Sequence, residues 1–520
     1  MSRFNLLVIC IISNFLNING SLALIISPPR LLDPPTNGTI GKRISANLYF
    51  EQKIDHFKPT DLRTYNQRYH VNDEYYLDSD AKNHIFLMLG GEWEATTSWL
   101  TYGSWLESAE QYGALLIYLE HRFYGLSQPF EDWSTENLEY LSSHQALADA
   151  ATFIEFINVD YNITDPKWIV FGGSYSATLA TWLRYKYPHL VTGAVASSGP
   201  LEAVLDFHEY LEVVGNGMKR YSQSCVDNIK EAFAGLDELS TSCLEDPEVY
   251  KDIDEGFLLC DSLESSEGND EDLMNLFETI IDDDFAYLVQ YHGRLSISID
   301  DICEILVNDT ADNSTALKRL AQAHVFMLNS SNTECTDYKY ENLLADWRNT
   351  TIDRSLIMRQ WFYQTCTEFG FFQTTNQEDP VFGSRVDVTF FTDLCVQIFG
   401  AYFNSSFTSQ AIETTNTIFG GRNITISNVI HFHGLVDPWH ALGRLSTSEE
   451  VGDTVILVED VAHCASMYTQ KETDPEALNE ARTKIHELIG QWLGYNNGQP
   501  SIVYVNVFLL FTAILYNILM

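Results

Sequence analysis

The stretch Trp168-Ile169-Val170-Phe171-Gly172-Gly173-Ser174-Tyr175-Ser176-Ala177 decides the fold. Its apolar start reads as a buried strand, and the two glycines then turn the chain sharply. From Ser174 to Pro188 the apolar residues recur with a helical period, and the proline ends the run. A serine at a strand-turn-helix junction is the context of a nucleophile elbow, where the hydroxyl stands above a sheet and the helix N-terminus faces a developing oxyanion. Ser176 occupies the place usually held by glycine and Ala177 follows it, so the motif is imperfect. Taken alone, Ser174 could equally be a helix cap.

Outward from the elbow, His84 to Glu92, Ala114 to Arg122 and Gly193 to Gly199 are further buried-strand candidates, alternating with helical stretches from about Leu48 to Pro200. Such alternation predicts a parallel sheet with flanking helices. Between about Glu202 and Gly421 the pattern becomes helical and rich in acids and cysteines, with Ser262 to Asp284 the most acidic run. Strand signals return at Ile426 to Gly434 and Asp453 to Asp460, before a closing helix from about Asp474 to Leu493. The expected fold class is therefore an α/β-hydrolase core in two parts, residues 44–205 and 422–495, split by a mostly helical cap over 206–421.

A serine hydroxyl is a weak nucleophile until a histidine takes its proton and a carboxylate orients the imidazole. Both partners follow Ser174 in hydrolase order: Asp437 in His433-Gly434-Leu435-Val436-Asp437-Pro438-Trp439, and His463 in Asp460-Val461-Ala462-His463-Cys464. Each sits just after a strand signal. His431 and His433 fall in or at the end of a strand, and His440 lies too near Asp437 to come from the next strand end. The backbone amide of Tyr175 and one from Gly90-Gly91-Glu92, assigned to Gly91 with Glu92 as the alternative, would form the oxyanion hole. No His or Cys spacing suggests a metal, no glycine loop suggests a phosphate, and no cofactor is expected.

The chain has 72 acidic against 30 basic residues, a formal charge of −42, which repels phosphate backbones and argues against a nucleic-acid partner. Arg3, the apolar run Leu6 to Leu16, and Ser21 and Ala23 at a small-x-small site read as a signal peptide over residues 1–23. Eight cysteines then remain, an even number that favours disulfides in an exported chain. Eight sequons, at Asn37, Asn162, Asn308, Asn313, Asn329, Asn349, Asn404 and Asn423, point the same way. The expected location is the secretory pathway, lysosomal or extracellular. A hydrophobic tail over 502–520 is just long enough to cross a bilayer, which leaves membrane attachment open. A homodimer is left open.

The combination of motifs resembles the serine peptidases grouped as lysosomal Pro-X carboxypeptidase, dipeptidyl peptidase II and thymus-specific serine peptidase. The resemblance rests on Gln52-Lys53-Ile54-Asp55-His56-Phe57, Asn66-Gln67-Arg68-Tyr69, Gly90-Gly91-Glu92, Glu120-His121-Arg122-Phe123-Tyr124-Gly125, the elbow, Ala196-Ser197-Ser198-Gly199-Pro200, Asp437-Pro438-Trp439 and Ala462-His463. It implies cleavage near a chain end, often after proline, at acidic pH, and a Cys366–Cys395 disulfide. Where proline-selective members look to have methionine four residues after the nucleophile, Thr178 stands here, and Leu201 to Phe207 looks more like the thymus-type branch. Trp439 would wall an apolar pocket, and Glu92 or Glu94 would hold a substrate α-amine. Proline selectivity, the choice between dipeptidyl peptidase and carboxypeptidase action, an esterase or lipase of the same fold, and a catalytically silent binding protein all stay open at this level.

Overall fold

A computed structural model describes residues 43–495 apart from 78, 81, 243–246, 267–268, 310–314 and 449–451. The expected signal peptide, the hydrophobic tail, Asn37, Asn313 and Cys243 lie outside the described residues.

Eight strands build the central sheet: β1 (Ile44–Lys53), β2 (Thr64–Asn72), β3 (His84–Leu89), β4 (Leu115–Leu119), β5 (Lys167–Gly173) and β6 (Val191–Ser197) before the insertion. The short pair β7 (Val204–Asp206) and β8 (Gly370–Phe372) stands apart, and β9 (Val429–Gly434) and β10 (Thr454–Val458) complete the large sheet. Its spatial order is β1-β2-β4-β3-β5-β6-β9-β10. From β4 to β10 every pairing is parallel, whereas β1 and β2 enter as an antiparallel edge.

The apolar runs read as strands are buried because both faces of the sheet are covered. Successive side chains of β3 alternate. Ile85, Leu87 and Leu89 pack with helices α1 (Ser143–Asp160) and α2 (Tyr175–Lys186), while Phe86 and Met88 pack with helices Trp105–Tyr112 and Glu476–Leu493. Helices dominate between β6 and β9, from His208–Tyr221 to Ser405–Phe419. Part of the acidic run turns inward: Asp284 is fully buried against His324 Nδ1 at 3.0 Å, and Asp272 meets Lys339 Nζ at 3.0 Å. Disulfides Cys225–Cys303, Cys260–Cys335 and Cys366–Cys395 all lie in this insertion, the third being the pair the resemblance implies. Such bonds persist in oxidising compartments, which fits the secretory pathway or lysosome. No helix among the described residues is long and apolar enough to cross a membrane.

Several residues that carry the resemblance are structural. Arg122 donates from Nε and Nη2 to the two oxygens of Asp149, each at 2.6 Å, and Asp149 also takes bonds from His56 and Tyr65. Arg68 pairs with Glu120 in the same buried layer. These charges are fully partnered, which is the condition for burying them.

Candidate active site

The parallel strands bring Gly91, Ser174, Asp437 and His463 to one edge of the sheet, at or just beyond the carboxyl ends of β3, β5, β9 and β10. That is where open α/β sheets bind ligands. Ser174 has φ +58° and ψ −132°, a backbone conformation unfavourable for a residue with a side chain. It is held there by its N–H, which donates to the Ser197 carbonyl at 2.9 Å. The turn tolerates nothing larger than glycine at 172, since a Cβ there would stand 2.0 Å from the Ser176 carbonyl oxygen. Ser176, the departure from the usual motif, is buried and donates its hydroxyl to the Gly173 carbonyl at 2.8 Å. The substitution thus ties the turn rather than opening it.

His463 Nδ1 lies 2.9 Å from Asp437 Oδ1, and both side chains are buried. Asp437 Oδ1 also accepts the Trp439 N–H at 3.0 Å, which fixes the carboxylate at the head of its loop. His463 Nε2 is buried with no hydrogen-bond partner. Burial alone would lower the His463 pKa, but the charge and hydrogen bond of the Asp437 carboxylate outweigh it and hold the value above that of a free imidazole. Conversely, burial pushes Asp437 upward, yet the charge and hydrogen bond of His463 leave it below the ordinary carboxylate value. His431 and His433 are enclosed in β9 with pKa values lowered by burial, and His440 bonds the Asp437 backbone carbonyl, not its carboxylate.

The Asp437–His463 pair and the elbow are neighbours. Cys464, buried and free of any disulfide, has its N–H on Ser198 Oγ at 2.8 Å and its sulfur 3.5 Å from the Ser197 carbonyl that anchors Ser174. A Cβ on Gly173 would stand 3.0 Å from that sulfur, so the residue before the serine abuts the residue after the histidine.

Tyr175 is the first residue of α2, so its N–H has no acceptor within the helix. Gly91 backs onto the same turn, because a Cβ there would be 3.4 Å from Ser176 Oγ. Beside it Glu92 is only 3% exposed, and its Oε2 has no hydrogen-bond partner. Burial raises its pKa to about 8, with its own backbone N–H and His463 pulling weakly the other way. Glu94 is committed elsewhere, accepting from Arg68 and Arg354. Thr178 is buried and donates to the Pro200 carbonyl at 2.6 Å. Trp439 lies among Phe207, Tyr210 and Phe371, with ring centroids 5.2–5.6 Å away. No group of three or more His, Cys, Asp or Glu side chains among the described residues is arranged to hold a metal.

Two features were missed in the sequence. Gln290, on the insertion, accepts the His463 N–H with its backbone carbonyl at 3.0 Å. The Tyr175 hydroxyl meets His121, Ser143 and Gln364, and Glu368 takes bonds from Ser143 and Gln364; burial raises the Glu368 pKa to about 7. Neither feature has a local pattern. The nearest signal was the run around Cys366, which drew attention only for its cysteine.

A mostly parallel sheet with a serine elbow after one strand, an acid and a histidine after later ones, and a helical insertion defines an α/β hydrolase. The profile of the serine carboxypeptidase S28 family matches residues 52–485. The chain belongs to that family and is a serine-type peptidase acting on peptides. Among its relatives are protein K12H4.7 of Caenorhabditis elegans, 36% identical over 86% of this chain and 88% of the relative, and mouse thymus-specific serine protease, 34% identical over 86% and 87%. Human lysosomal Pro-X carboxypeptidase is 28% identical over 88% of this chain and 91% of its own.

Proposed function

We propose that this peptidase is an exopeptidase in which Ser174 attacks the scissile carbonyl, His463 takes its proton and returns it to the leaving amine, and Asp437 orients His463. The observation that carries the reading is the 2.9 Å contact of Asp437 Oδ1 with His463 Nδ1, which leaves Nε2 buried and unpartnered beside the elbow. Attack forms a bond from Ser174 Oγ to the carbonyl carbon. Collapse then expels the amine and leaves an acyl-enzyme, which water hydrolyses with His463 again as base. The amides of Tyr175 and Gly91 serve the oxyanion. The strained φ of Ser174 supports this assignment, as such strain concentrates at functional positions.

Glu92 supports capture of the substrate's α-ammonium, and thus trimming from the N-terminal end. A buried carboxyl with one free oxygen gains most from a cation brought to it. The rings around Trp439 favour an apolar side chain at the cleaved bond, proline included. Residues 1–23 act as a signal peptide in this reading, and Asn162, Asn308, Asn329, Asn349, Asn404 and Asn423, all exposed, are open to glycan attachment in the lysosome or outside the cell.

The test is fluorophosphonate labelling of the mature protein from pH 4 to 8 beside Ser174→Ala and His463→Ala, with the labelled peptide identified by mass. Label on Ser174, lost in both variants, is the expected result; an unlabelled wild type at every pH would refute it. Peptides with free and acetylated N-termini then separate the two ends, acetylation abolishing cleavage if Glu92 holds the amine.

A further inference from the structure

Gln290 lies in the inserted helices, 149 residues from Trp439 and 173 from His463, yet touches the loops that carry both the acid and the base. Its backbone carbonyl accepts the His463 N–H at 3.0 Å. Its side-chain Oε1 accepts from Trp439 Nε1 at 2.9 Å and from Tyr210 Oη at 2.5 Å, and its Nε2 donates to Tyr291 Oη. The amide is 7% exposed with both acceptor sites filled, so its orientation is fixed. Tyr291 meets the His463 imidazole edge to face, with centroids 6.0 Å apart and an interplanar angle of 86°. Trp439, held at its indole by Gln290, bonds Asp437 Oδ1 through its backbone N–H. One residue thus braces each end of the Asp437–His463 pair.

The fold explains why a residue so far away arrives there. His463 lies beyond β10 in a segment without helix or strand, so its backbone needs outside support. Gln290 ends the helix Tyr287–Gln290, which runs on from a π-helical turn at Asp282–Ala286. A π-turn inserts a residue into the helical register and rotates the next turn by about 100°. That rotation changes the face on which Gln290 lies.

We propose that Gln290 is a positioning residue through which the inserted helices hold His463 and the Asp437 loop in register, so that the triad is assembled only when those helices are docked. The inference rests on the catalytic assignment of Ser174, Asp437 and His463. A misplacement of about 1 Å in such a site costs about 100-fold in rate. Gln290→Leu keeps the volume and removes every side-chain hydrogen bond, whereas Gln290→Glu keeps the acceptor for Trp439 and Tyr210.

The experiment measures the rate constant of Ser174 modification by a fluorophosphonate, the downfield proton resonance of His463 Nδ1–H, and the thermal midpoint, in the full chain. Expected for Gln290→Leu is a roughly 10- to 100-fold slower modification and a broadened or absent resonance, with the midpoint within a few degrees of wild type. Gln290→Glu should recover most of the rate at pH 5. A Gln290→Leu protein that is modified at the wild-type rate with an unchanged resonance would overturn the proposal. Should that variant not fold, Tyr291→Phe, which removes the acceptor of the Gln290 Nε2–H and leaves the two bonds to Oε1, carries the same test with a severalfold loss expected and an unchanged rate refuting it. A wild type that takes no label sinks the triad itself, an outcome distinct from variants that label as well as wild type.

Discussion

Replacing Glu92 by glutamine should make the protein more resistant to unfolding as pH rises, and burial sets the size of the effect. Glu92 is 3% exposed, one carboxyl oxygen lacks a partner, and its pKa is raised from 4.5 to about 8. The unfolded chain therefore releases this proton near pH 4.5, while the folded chain keeps it to about pH 8. Across that window the folded state binds more protons, so its stability falls with pH by about 1.4 kcal/mol per unit. Glutamine mimics the neutral carboxyl at every pH. Wild type and Glu92→Gln should thus be nearly equal at pH 4.5 and differ by about 4 kcal/mol at pH 7.5, the variant being the more stable. With an unfolding entropy of about 2 cal/mol/K per residue, that is a Tm gap of about 4 °C for a unit of this size.

Comparing the two proteins at each pH isolates Glu92 from groups that pull the other way. His70, His121 and His433, held neutral by burial with pKa values of about 4, add stability as pH rises towards 6.5. They do so equally in both proteins. The assay is calorimetry or near-ultraviolet dichroism at half-unit steps from pH 4.5 to 7.5. A gap that stays constant over this range would mean that Glu92 ionises in the fold. The carboxyl would then have a partner, and the case for an uncompensated acid awaiting a substrate cation would fall with it.

Asp437→Asn leaves shape intact but removes the charge that raises the His463 pKa; kcat should fall about 10³- to 10⁴-fold, and the acid limb of fluorophosphonate reactivity should move to lower pH, an unmoved limb refuting the link. Arg122→Met strands the Asp149 carboxylate in the interior and should cost about 3–5 kcal/mol, read as a lower thermal midpoint. Cys366→Ser with Cys395→Ser opens the clamp on the turn that carries Glu368 and should cost about 2–5 kcal/mol, read the same way. In Trp439→Leu, KM for peptides with an apolar residue before the cleaved bond should rise more than for alanine-bearing ones; an equal change would place the substrate elsewhere.

What the sequence disclosed and what it concealed divide along the length of the contacts involved. The elbow is local: Trp168 to Ala177 contains the strand, the glycines and the helix start, so one short stretch states the geometry. Asp437 and His463 are nearly as legible, because each comes directly after its strand and parallel strands must deliver their ends to one side. Glu92 was legible as a position but not as a buried group, since nothing near Gly91 in the chain reveals that the His463 loop draws close to it. The antiparallel edge of β1 and β2 shows the same limit, as its place in the sheet depends on Tyr69 meeting Leu119 in β4. Gln290 is the extreme case. An amide in a helical stretch has no pattern of its own, and the π-turn that redirects it is a matter of hydrogen-bond register, not composition. Residues carried on strand ends can be placed from periodicity, whereas the parts that hold them still come from distant segments whose meeting only the folded chain determines.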